Sequence, residues 1–260
     1  MDLLLGSIMA RIERPAAPKF AFPLLVLPAL FTTPSHLALL TGYLTSLGWE
    51  VITLDLFADG SPREDFDGLL ERVREAIIAL DREVVALGHG LGGLAALKLA
   101  EGAGVRAAAA LAPLVSGVRP PLMRGLRNRI AGLTGGSLRP PSGRWLFELI
   151  ADADPFARDL IIKQLRPSPS TLMKSVVADE VKIGAGAPRL IVVGDSDVFA
   201  PCAAVEKLAE RSGAELAILA GRGHWLIGGR ALERAVAEFQ RFIVRALGAE
   251  LLLLYSDESK

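Results

Sequence analysis

The sequence predicts an α/β fold: a mostly parallel sheet flanked by helices on both faces, with a helical lid inserted late in the chain. Three observations predict it. From residue 22 onward, short apolar runs alternate with segments of helical periodicity. The apolar runs are nearly continuous, as in strands buried on both faces. One of them leads straight into a glycine-rich turn that opens a helix.

Taken in order, residues 22–27 read as a buried strand, and 35–47 as a helix stopped by Gly48. A second strand spans 49–54. Residues 64–80 form an amphipathic helix, because Phe66, Leu69, Leu70, Val73, Ile77 and Leu80 recur at helical spacing. A third strand at 83–87 precedes Gly88-His89-Gly90-Leu91-Gly92-Gly93 and a helix to about residue 100. Strands follow at 105–111, 188–193 and 215–219, and helices at 201–212 and 230–247. Such strand–helix alternation favours parallel pairing with helical crossovers.

Residues 115–186 break the rhythm with Pro120-Pro121, Gly135-Gly136 and Pro140-Pro141. Helical pieces are expected at 122–131, 144–150, 155–164 and 170–178. The segment reads as a lid over the carboxyl ends of the strands, where α/β folds shape their pockets. The predicted organisation is therefore a core of 1–114 and 187–260 interrupted by a 115–186 insertion. Ordinary crossover helices are the alternative.

Composition narrows the function. Lysine plus arginine equals aspartate plus glutamate at 29 each, which gives no electrostatic footprint for nucleic acid or an anionic membrane. The single cysteine, Cys202, excludes an internal disulfide and points to a reducing, cytoplasmic setting. Cys202 itself is expected to pack rather than react. The three histidines, His36, His89 and His224, do not suggest a metal site. The N-terminus has a short apolar run without a preceding basic region, so it makes a poor signal peptide. The apolar tail at 251–254 reads as the end of a packed helix, and stable membrane insertion is not expected.

Three loops concentrate the chemistry. At Gly88–Gly93 a strand must turn into a helix at close approach, which calls for residues without side chains. A glycine-rich turn can also cradle phosphate. However, no Lys-Ser/Thr pair follows, and the glycines do not lie in a βαβ unit at the start of the sheet. The second loop, after the 188–193 strand, is Gly194-Asp195-Ser196-Asp197. The third, after the 215–219 strand, is Gly221-Arg222-Gly223-His224-Trp225.

Together these loops resemble the α/β-hydrolase family. Gly88-His89-Gly90-Leu91-Gly92 is similar to its nucleophile elbow Gly-x-Ser-x-Gly, and the acid and histidine loops follow in the family's order. The resemblance implies that Asp197 is the acid, with Asp195 its competitor, and that His224 is the histidine. His89 is expected to pack behind the site. The departure is Gly90, which stands where the family carries its serine. Where relatives often read His-Gly after the first strand, this chain has Pro28-Ala29-Leu30. By that alignment the amides of Leu30 and Leu91 form the oxyanion hole. The Asp55-Leu56-Phe57-Ala58-Asp59-Gly60-Ser61 stretch only loosely resembles a structural turn of the family.

Glycine offers no nucleophilic atom, so a serine acyl-enzyme is not expected. A His224–Asp197 dyad remains as a general base. It suits proton abstraction of the lyase, isomerase, cyclase or cofactor-free oxygenase type. Two alternatives stand beside this. One is hydrolysis by direct water attack, or a serine-to-glycine variant of an ester or amide hydrolase. The other is a non-catalytic binding protein on a hydrolase scaffold. The expected partner is a small, mostly apolar substrate contacted by Trp225, Leu122, Leu146 and Phe147. Arg119, Arg124, Arg127, Arg129 and Arg139 are candidates for a substrate carboxylate, or are simply solvated. No cofactor or metal is expected, and a homodimer is compatible with the sequence.

Overall fold

A computed structural model describes residues 1–58, 64–121, 128, 130–131 and 134–252. Its centre is an eight-stranded sheet in the order β1-β2-β4-β3-β5-β6-β9-β10. The strands are β1 (Asp2–Leu5), β2 (Ile8–Glu13), β3 (Leu24–Leu27), β4 (Val51–Asp55), β5 (Val84–His89), β6 (Val105–Leu111), β9 (Arg189–Gly194) and β10 (Glu215–Leu219). From β4 to β10 every pairing is parallel. β7 (Ser137–Leu138) and β8 (Ser168–Pro169) form a separate short ladder within the inserted segment.

β3, β5 and β9 are buried at every position, so helices cover the sheet on both faces. The helices are α1 (Ala38–Ser46), α2 (Phe66–Leu80), α3 (Leu91–Leu99), α4 (Arg144–Leu149), α5 (Arg158–Gln164), α6 (Leu172–Val177), α7 (Cys202–Ser212) and α8 (Leu232–Leu247). α2 starts where the Asp65 side chain accepts the Gly68 amide at 2.9 Å. It then buries Phe66, Leu69, Leu70, Val73, Ala76 and Ile77. α3 packs against β3, β5 and β6, and α8 against β6, β9 and β10. Trp49, stacked on Phe20 at 3.9 Å and near Phe239 of α8, closes the end of the core opposite the site loops.

Two expectations need correction. The strand–helix alternation does start with β3, but the sheet begins earlier, because β1 and β2 form an antiparallel hairpin and β2 pairs antiparallel with β4. The signal was the two-residue alternation of Ile8 and Ala10, which are buried while Met9 and Arg11 are exposed. At the other end, α8 stops at Leu247, and a 3-10 turn, Gly248–Leu251, carries Leu252 into a bridge with Phe20.

The segment 115–186 is helical in part, as α4, α5 and α6. It does not act as one layer. α6 packs beside α2, and the Thr171 hydroxyl donates to the carbonyl of Glu64. Residues 149–170 instead reach the loops at the carboxyl ends of β3 and β10.

Candidate active site

In the turn between β5 and α3 the backbones approach very closely. A Cβ on Gly88 would lie 2.0 Å from the Gly92 carbonyl oxygen, and one on Gly92 would lie 2.3 Å from that of Leu27. No side chain fits at either position. Gly90, between them, has φ +56° and ψ −117°, a conformation costly for residues with a Cβ. Its amide donates to Leu111 at 3.0 Å and its carbonyl accepts the Leu114 amide at 3.0 Å, so the end of β6 holds the turn in place.

Asp197 follows β9. Its Oδ1 accepts the amides of Phe199 at 2.7 Å and Ala200 at 3.0 Å, which leaves Oδ2 for His224 Nδ1 at 2.8 Å. An ionised carboxylate only accepts, so His224 donates through Nδ1–H, and in the neutral ring Nε2 is the nitrogen with the free lone pair. That Nε2 is 3.7 Å from where a Cβ on Gly90 would stand. Both side chains are almost fully buried. Burial pushes the Asp197 carboxyl up, but the facing His224 ring and the donated hydrogen bonds outweigh it and leave it below its ordinary value.

His89 lies behind this pair. Its Nε2–H donates to the His224 carbonyl at 2.9 Å, and its ring centroid is 4.9 Å from that of His224. Burial, reinforced by the nearby His224, lowers its pKa to about 3, so it stays neutral and is no base near pH 7. His36 sits farther off. Its Nδ1 accepts the Thr33 amide at 2.9 Å, which fixes Nε2–H as donor to the Ile161 carbonyl at 3.1 Å. Burial lowers its pKa too.

A cavity with about 20 Å³ of room adjoins Gly90. It is lined by Ala29, Leu30, Phe31, Thr32, His89, Gly90, Leu91, Leu114, Leu149, Phe199, His224 and Trp225. The structure thus brings Gly90, His224, Leu30, Leu91 and Trp225 together, with Asp197 behind His224. Leu91 opens α3, where the helix offers its amide no acceptor. The loop carrying Leu30 is pinned at Phe31, whose amide donates to Ser168 Oγ and whose carbonyl accepts the Arg166 amide, each at 2.9 Å.

Other expected residues fall elsewhere. Leu122 lies outside the described residues, as do Arg124, Arg127, Arg129 and Ser61. Leu146 and Phe147 do not line the cavity, and Phe147 is 63% exposed. α4 presents Leu149 instead. Arg119 and Arg139 are exposed and do not line it either. Asp195 does not touch His224, and its carboxylate accepts the Gly221 amide at 2.8 Å. Cys202 opens α7 beside Glu206, and burial and that carboxylate both raise its thiol pKa. Ala29, Thr32, Leu114, Leu149 and Phe199 were not singled out by the sequence. Among the described residues no group of three or more histidine, cysteine, aspartate or glutamate side chains could hold a metal ion. No helix there is long and apolar enough to cross a membrane.

With this sheet order and these loops, the comparisons with known proteins agree. The model of the alpha/beta hydrolase family matches residues 24–238, and the chain belongs to that family of enzymes. Among solved structures it is similar to the monoacylglycerol lipase of Paleococcus ferrophilus, at 17% identity over 90% of this chain and 98% of that one, TM-score 0.71. It is also similar to a soluble variant of the monoglyceride lipase of Saccharomyces cerevisiae, at 14% identity over 95% and 94%, TM-score 0.73. A third is a thermophilic esterase from Thermogutta terrifontis, at 14% identity over 95% and 99%, TM-score 0.69. At these identities the likeness is one of fold. No curated protein matches the chain by sequence.

Proposed function

We propose that Gly90 occupies the family's nucleophile position and that this enzyme works through His224 as a general base held by Asp197. The observation that carries the reading is the 2.8 Å Nδ1–Oδ2 contact, which turns Nε2 of the neutral ring toward the site, 3.7 Å from where a Cβ on Gly90 would stand. In the reaction, Nε2 takes a proton from a bound carbonyl compound. The electron pair of the broken C–H bond moves onto the substrate oxygen, which the amides of Leu30 and Leu91 hold. The substrate is small and mostly apolar, in keeping with Ala29, Leu114, Leu149 and Phe199 around the cavity. The 115–186 insertion serves as its lid, through residues 149–170. A lyase, isomerase, cyclase or cofactor-free oxygenase reaction fits this step.

One observation favours a second reading. About 20 Å³ beside Gly90 is the room a single water needs, and His224 could deprotonate such a water for direct attack on an ester. The test is incubation in D2O with small apolar ketones and esters, followed by NMR. Deuterium entering at the α-carbon, and lost in His224→Ala, supports proton abstraction. Ester hydrolysis without an acyl-enzyme burst, and without α-exchange, supports water attack. Activity of either kind that survives His224→Ala overturns both.

A further inference from the structure

Asp152 is a buried carboxylate that the chemistry above does not use. It lies between α4 and α5, and its side chain is 8% exposed. Its Oδ2 accepts the amide of Gly223 at 2.6 Å, and its Oδ1 accepts from Arg222 Nη1 at 3.3 Å. Its carbonyl accepts the Arg230 amide at 3.2 Å. Gly223 is the residue immediately before His224, so Oδ2 fixes the Arg222–Gly223 peptide plane, one Cα ahead of the His224 peptide. Other ties come from the acid loop, Gly221 N–H to Asp195 and Ser196 N–H to the Arg222 carbonyl at 2.9 Å, and from the core, where His89 Nε2–H donates to the His224 carbonyl at 2.9 Å. Asp152 differs because it belongs to the inserted segment, and Leu149, three residues earlier, lines the cavity.

We infer that Asp152 is a positioning residue for His224, acting through the Gly223 amide and tying the histidine to the part of the insertion that meets the substrate. The inference rests on the reading of His224 as the base. A carboxylate accepting a short charge-assisted hydrogen bond from a loop amide removes the loop's freedom to rotate. The ring then holds its line to Asp197 at one end and to the cavity at the other. The outer partners of metal-ligating side chains matter by roughly ten- to a hundredfold although they touch no substrate, and Asp152 stands in the same relation to a general base.

The test follows the His224 ring by NMR, which needs no substrate. In Asp152→Ala the Nδ1 proton shared with Asp197 should exchange with solvent faster, and the Cε1–H chemical shift should move. In Asp152→Asn, which keeps an oxygen to accept the Gly223 amide, both should remain near wild type. A merely structural role would lower the melting temperature of Asp152→Ala and leave both ring signals in place, and that result overturns the inference. If Asp152→Ala does not fold, Asp152→Ser, too short to reach Gly223, is read the same way. Turnover surviving His224→Ala would instead overturn the base reading, so the two failures are distinguishable.

Discussion

The methyl carbon of Ala29 stands 2.9 Å from the point where a Cβ on Gly90 would lie. The two positions share one space. Gly90→Ser alone should therefore be destabilised by about 2 kcal/mol, from the left-handed backbone and the contact with Ala29 together. Ala29→Gly/Gly90→Ser should recover part of that loss in urea denaturation. It should also show a burst with small activated esters, which Gly90→Ser alone should show weakly.

The dyad makes the sharpest functional prediction. His224→Ala should abolish turnover with the melting temperature little changed. Asp197→Asn should cost on the order of 10⁴-fold, because an amide facing Nδ1 favours the wrong tautomer. Rates measured on whichever substrate the D2O experiment identifies would check both.

Acid should weaken the fold through His89. Its folded pKa of about 3 is below the 6.5 of an ordinary histidine, so between those values the unfolded ring binds a proton that the folded ring refuses. The stability it confers is complete above pH 6.5 and falls by roughly 1 kcal/mol per pH unit below that. His36, also lowered, adds with the same sign. Asp197, lowered from 3.8, adds a further loss only as pH drops below that value. Urea denaturation from pH 7 to pH 5 should show the slope, and His89→Gln should flatten it.

Ser168 is expected to stabilise the loop that carries Leu30. Its hydroxyl is the partner of the buried Phe31 amide. Removing it in Ser168→Ala should cost about 1–3 kcal/mol. Hydrogen exchange at Phe31 should speed up by a comparable factor, while β5 amides remain protected.

The parallel strands were legible because burial on both faces leaves unbroken apolar runs, and β6 and β10 fall at the expected residues. Asp197 and His224 were legible from glycine-marked loops at the ends of β9 and β10. The β1–β2 hairpin was not, since alternation over four to six residues at a chain end is easily read as a tail. α4 shows a different limit. Its six residues are too few for periodicity to say which face turns inward, so Phe147 was expected where Leu149 sits. Asp152 carries no local signature at all, because its role depends on a partner 71 residues away.

The crowding at Gly88 and Gly92 also shapes how this enzyme can change over generations. Neither residue can be replaced without prising α3 from the sheet, so drift there is closed. Gly90 is hemmed mainly by the methyl of Ala29, which one substitution removes. Two residue replacements, Ala29→Gly and then Gly90→Ser, therefore make room for a side chain at the centre of the turn, whereas its neighbours Gly88 and Gly92 offer no such route.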